Sequence, residues 1–148
     1  MSKADTKTNL TKLIALDQSD LEVISAHCQD AVVRLEDIAY LQEQQRFILL
    51  LNRFAWEQAD NKTNQRRRSA LHFECVKSAK HLNIDANKKD DVKKLLAVNF
   101  HAQEDPSGTI SLIFSGGSEI KLAVECIETM LKDLGAIWEA SSRPKHAE

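Results

Sequence analysis

"RFILLLNRFAWE" (residues 46–57) is apolar at both parities of an extended chain. Phe47, Leu49 and Leu51 fall on one side; Ile48, Leu50, Phe54 and Trp56 fall on the other. Side chains alternate across a strand, so this segment reads as a central strand buried on both faces. Something must then lie over its outer face, and Phe54 and Trp56 are candidates for core packing or a partner interface.

Upstream, "VVRLEDIAYL" (32–41) is rich in β-branched and aromatic residues, but its alternation changes phase. Val33 and Leu35 share one parity and Ile38 and Tyr40 the other, which predicts a bulge or bend at Glu36–Asp37. "QEQQ" (42–45) is a polar turn between the two strands. Further back, "KLIAL" (12–16) reads as a short strand. A helix is expected from about residue 18, with Asp17 as a possible N-cap and Ser19 with Glu22 matching a capping box. Leu21, Ile24, Cys28 and Ala31 follow at helical spacing, making this helix the natural cover for strand 46–57.

Downstream, "QADNKTNQ" (58–65) is a loop by composition. The next strand, about 67–80, places Leu71, Phe73 and Cys75 on one face and His72, Glu74 and Val76 on the other. A polar connection (83–94) leads to the strand "LLAVNFH" (95–101). "DPSG" (105–108) has the residues of a type I turn. "SGGS" (115–118) sits between "TISLIF" and "EIKLAVE", a hairpin signature in which glycine suits positive φ. The period then changes to 3.6: Cys126, Ile127, Met130, Leu131 and Leu134 make one apolar helix face. Glu128 and Lys132 are spaced to pair on the exposed side, and Gly135 is placed to end the helix.

The expected architecture is an α+β single domain over residues 10–138, with flexible tails at 1–9 and 139–148. It is a mostly antiparallel sandwich or barrel with one N-terminal and one C-terminal amphipathic helix. Strands followed by a C-terminal helix resemble the pleckstrin-homology-like barrel, although a helix after the first strand departs from it. The blocks "LNRFAWE", "RRRSALHF" and "VECIETMLKDLG" resemble a small alphaproteobacterial family of unknown function. That resemblance implies a soluble bacterial protein and carries over no activity, cofactor or catalytic residue.

Composition narrows the function classes. Twenty basic and 22 acidic residues give a net charge of −2, so bulk charge does not favour a polyanion and nucleic acid would need a local patch. The first residues carry no apolar signal core and no apolar run is long enough to span a bilayer, which points to the cytoplasm and away from membranes. Cys28, Cys75 and Cys126 are odd in number and far apart, the pattern of reduced core thiols.

The best candidate patch is Arg66, Arg67 and Arg68, with Lys77 further along, because guanidinium forks bind phosphate and carboxylate bidentately. On a strand, however, Arg66 and Arg68 point one way and Arg67 the other. A solvated strand entry is therefore the simpler expectation. His72 and Glu74 share a strand face and offer two metal ligands without a third, so no metal and no cofactor is expected. No nucleophile elbow, phosphate loop or zinc motif is present. The expected function is a non-catalytic protein-interaction or self-associating module, its partner another protein or a second copy. An anion- or nucleic-acid-binding module and an enzyme with an unrecognised site are the alternatives.

Overall fold

Alternating burial turns most of this chain into one sheet. The structure is a computed structural model that describes residues 10–54 and 66–136. In chain order the elements are β1 (Lys12–Ala15), α1 (Gln18–His27), β2 (Ala31–Leu41), β3 (Arg46–Phe54), β4 (Arg66–Phe73), β5 (Val76–Leu82), β6 (Val92–Ala102), β7 (Gly108–Phe114), β8 (Glu119–Val124) and β9 (Thr129–Ala136). All pairings are antiparallel, in the order β1-β9-β4-β3-β2-β6-β7-β8-β5.

Two features bend this sheet. The first is the predicted bulge in β2. Its register with β3 shifts between Val33 and Ile38. Residues 31–34 pair with β6 on the other side, whereas no β6 partner follows Arg34. The second is a corner where β4 passes into β5 and β8 into β9. The expected single strand 67–80 divides there at Glu74–Cys75, with Cys75 at φ 60°. Pairing nevertheless continues around the corner: Glu74 N–H donates to Glu128 O at 2.8 Å and Glu125 N–H to Cys75 O at 3.0 Å.

The interior is filled from both halves by Leu49, Leu51, Leu71, Phe73, Leu112 and Leu122, among others. Helix α1 is where the sequence placed it, and Asp17 supplies the cap by accepting Asp20 N–H at 2.8 Å. Leu21 and Ile24 are buried, but the helix packs mainly on β6 and β1 rather than over β3. It serves the stretch of β6 that runs past the start of β2: Val98 N–H donates to Ser25 Oγ, and Asp30 N–H to Leu95 O.

Strand β3 corrects the reading of its own faces. Phe47, Leu49, Leu51 and Arg53 are buried, while Ile48, Leu50, Asn52 and Phe54 are half-buried. The outer face is flanked by long side chains of β4, with Arg66 beside Phe54 and Arg68 beside Asn52 in the register. Their stems can cover apolar surface while the heads stay wet.

The C-terminal helix is also corrected. Residues 129–136 form strand β9, so neither the Glu128–Lys132 helical pair nor the glycine stop exists, and the likeness to the pleckstrin-homology barrel goes with them. The buried positions are Thr129, Leu131 and Asp133. Two of these three are polar, and that concealed the period of two. The expected type I turn at 105–108 differs as well. The turn is closed by Ser107 N–H to Glu104 O at 2.7 Å and contains a cis Asp105–Pro106 bond, so Pro106 is its third residue. The hairpin at 115–118 has both glycines at positive φ, as its sequence requires. The expected tails 1–9 and 139–148, the loop 58–65 and Trp56 lie outside the described residues.

Candidate functional site

Once β2 has parted from β6, its second half pairs with β3 alone and β5 with β8 alone among the described residues. Between these two strands lies a cavity of about 500 Å³. Its apolar wall comes from Leu35, Ile38, Phe47, Ala79, Ile84 and Ile120. Ala79 and His81 face inward because their register partners, Leu122 and Ile120, are buried core residues. His81 and Lys89 bring titratable or cationic groups to it, against one carboxylate, Glu36, while Lys80, between Ala79 and His81, belongs to the alternate face of β5 with its register partner Lys121. Glu36 is also 3.6 Å from Arg34.

The cavity is held open at both ends by specific bonds. At one end Tyr40 donates its hydroxyl to Val76 O at 2.9 Å, and Val76 N–H donates to Gln45 O at 2.9 Å. At the other, the bulge residues Leu35 and Glu36 donate their N–H groups to Asp91 O and Lys89 O, both at 3.0 Å. These anchor the 83–91 connection as a flap that brings Ile84 and Lys89 to the cavity. The size and composition fall in the range of small-molecule pockets: mostly apolar, with a few placed polar groups.

The arginine run does not form one patch. Arg66 lies 5.8 Å over the Phe54 ring, a cation–π stack. Arg68 donates to Asn52 Oδ1 at 3.1 Å and meets Asp37 Oδ2 at 3.4 Å. Arg67 turns inward, as alternation requires, and is buried opposite Arg53 in the register. Lys77 is exposed on β5, beyond the corner at Glu74–Cys75 from Arg68 on β4. Of the two proposed interface aromatics, Phe54 is half-buried beneath Arg66.

Inside, Arg53 makes a two-pronged salt bridge with Asp133: Nε to Oδ1 and Nη2 to Oδ2, each 2.8 Å. Ser69 Oγ donates to Oδ1 at 2.6 Å and Thr11 N–H to Oδ2 at 2.9 Å. Burial works against the Asp133 charge, but these hydrogen bonds and the Arg53 charge outweigh it and hold the carboxyl below the usual aspartate range. Cys28 belongs to the same interior. Burial pushes its thiol up to about 12, while the charges of Arg53 and Asp133 act on it in opposite senses.

On the outer face of β4, Glu74 Oε2 accepts from both Arg46 Nε and His72 Nδ1 at 2.8 Å. The suspected ligand pair is thus joined by an arginine. The other two cysteines depart from the expectation of separate core thiols. Cys75 and Cys126 meet at the corner, Sγ to Sγ 3.7 Å, and both are half-buried. Burial and the neighbouring Cys126 push the Cys75 thiol up to about 11.

Sequence reasoning missed the cavity residues and this thiol pair. The phase change in β2 was the available signal for the cavity, since a strand that flips its faces is changing neighbours. The thiol pair had none, because it depends on a β5–β8 register that no turn specifies.

These observations define a class: an antiparallel β protein, capped by one short helix, with an apolar cavity where its sheet parts. The chain belongs to a family described as protein of unknown function (DUF2948), whose model matches residues 11–146. No curated protein and no solved structure matches it. No helix among the described residues is long and apolar enough to cross a membrane.

Proposed function

We propose that this protein is a non-catalytic binding module whose ligand is a small amphipathic anion seated in the cavity between β2 and β5. One observation carries the reading: a cavity of about 500 Å³ joins an apolar wall to His81 and Lys89. An apolar body would be buried against Ile38, Phe47 and Ile120, and a carboxylate, sulfonate or phosphate head would meet Lys89 and His81. The anion-binding alternative raised by the arginine run is placed at this rim instead. Tyr40 is committed to a backbone carbonyl and the cavity wall is mostly apolar, so retention of a ligand accounts for the site more economically than turnover.

The test is titration of the full chain with cis-parinaric acid, a fluorescent fatty acid, and with its methyl ester. The acid is expected to bind more tightly than the ester. Lys89→Glu should weaken the acid about tenfold, roughly 1.4 kcal/mol, and leave the ester little changed. Ala79→Trp should block both. Binding that is indifferent to both substitutions, or no binding at all, overturns the proposal.

A protein-interaction reading is favoured by a different surface. Ile14 on β1 and Leu10 and Leu16 just beyond its two ends are 53, 43 and 67% exposed, and Leu134 on neighbouring β9 is 51% exposed. β1 pairs with β9 alone among the described residues, the condition under which a sheet takes up a further strand from another chain. Light scattering should then give a mass above 16.7 kDa that Ile14→Lys returns to that of one chain. A single-chain mass before substitution removes self-association.

A further inference from the structure

We propose that Cys75, Cys126 and Glu128 form a zinc site at the corner where β4 passes into β5 and β8 into β9. One ligand atom from each residue lies within 4.8 Å of the other two. The Cys75 and Cys126 sulfurs are 3.7 Å apart, and Cys75 Sγ is 3.8 Å from Glu128 Oε1. Two thiolates bound to zinc at about 2.3 Å, with a tetrahedral angle between them, have sulfurs about 3.8 Å apart. With a carboxylate oxygen at about 2.1 Å, the corresponding sulfur–oxygen separation is about 3.6 Å. Two sides of the triangle therefore stand near coordination spacing, and the third, within 4.8 Å, closes by movement of the exposed Glu128 side chain. A disulfide would instead require the sulfurs to close to about 2.05 Å.

The backbone fixes the triangle. Cys75 sits at φ 60°, and hydrogen bonds flank it on both sides, from Glu74 N–H to Glu128 O and from Glu125 N–H to Cys75 O. These bonds hold the two ribbons in register at the bend, so the ligands come from two chain segments about 50 residues apart without any loop to order. The donor set selects the metal. Paired thiolates favour zinc over magnesium or calcium, and one carboxylate is a common third ligand. Glu128 is exposed and both cysteines are half-buried, giving the ion a path in and leaving a fourth position for water. Cys28 takes no part, being fully buried in the core.

The experiment uses the reduced full chain under a non-chelating phosphine, with Co²⁺ as the spectroscopic probe and Zn²⁺ as competitor. One equivalent of Co²⁺ should give thiolate-to-cobalt charge-transfer absorption and tetrahedral visible bands, and one equivalent of Zn²⁺ should abolish them. Cys75→Ser and Cys126→Ser should each remove the charge-transfer intensity of the paired thiolates. Each should also weaken Zn²⁺ by more than the roughly 10–100-fold that loss of an outer-shell partner costs. Glu128→Gln should weaken it while retaining the sulfur bands, and Cys28→Ala should change neither. Absence of a charge-transfer band in the reduced protein overturns the proposal, as does a band unchanged in Cys75→Ser.

Discussion

The inward face of the sheet is finished differently in two places. Where β3, β4 and β9 run side by side, Arg53, Ser69 and Asp133 fill the interior with charge, and the Asp133 carboxylate receives four hydrogen bonds. Where β2 has left β6, the interior is apolar and open, with the flap residues Ile84 and Lys89 across part of it. The charged region can be dry because its strands are paired on both sides and, with the Thr11 N–H just before β1, surround the carboxylate with donors. The apolar region stays open because the two strands beside it share no ladder. Polarity here does not track exposure. What decides it is whether the backbone on either side is continuous.

The largest test of this contrast removes one ion. Asp133→Ala removes the two-pronged partner of the buried Arg53 guanidinium and should cost about 3–5 kcal/mol in urea unfolding at pH 7. Replacing both partners, as Arg53→Met with Asp133→Leu, should cost less than that single change, because the guanidinium leaves the interior together with the carboxylate. Equal losses in the two variants would mean that the pair is not dry. Acid sharpens the point. The folded Asp133 carboxyl titrates below its unfolded value of about 3.9, so its stabilisation is complete above that value and disappears as pH falls through the folded one. Asp133→Asn should remove that part of the acid dependence.

The same pair explains which parts of the fold were legible. Apolar alternation identified β3, β4 and β7, the glycine hairpin fixed β7 against β8, and the phase change in β2 announced its bulge. Each of these signals is local. β9 was misread as a helix because Thr129 and Asp133 occupy inward positions with polar side chains, leaving Met130, Leu131 and Leu134 to imitate a helical stripe. A buried charge is stable only beside its partner, and Arg53 is 80 residues away, so no local pattern could reveal it. Arg67 was the exception: strand alternation alone sent it inward, away from Arg66 and Arg68. The cavity needed the complete strand order, since β2 and β5 border it without pairing.

The smallest effect is expected at the open region, and there it is most informative. Leu51 is fully buried on β3 beside the charged cluster, and Leu51→Ala should cost about 2–5 kcal/mol because its neighbours cannot close around the void. Ile38 is half-buried and already faces empty space, so Ile38→Ala removes fewer contacts and should cost about 1 kcal/mol. Unfolding both variants in urea without added ligand measures the difference directly. If the two substitutions cost the same, the gap between β2 and β5 is closed and packed in solution, and the cavity cannot be a preformed seat. If the Ile38→Ala cost rises when cis-parinaric acid is present throughout, the isoleucine supports the ligand rather than the fold. That result would separate a binding wall from an incompletely filled core.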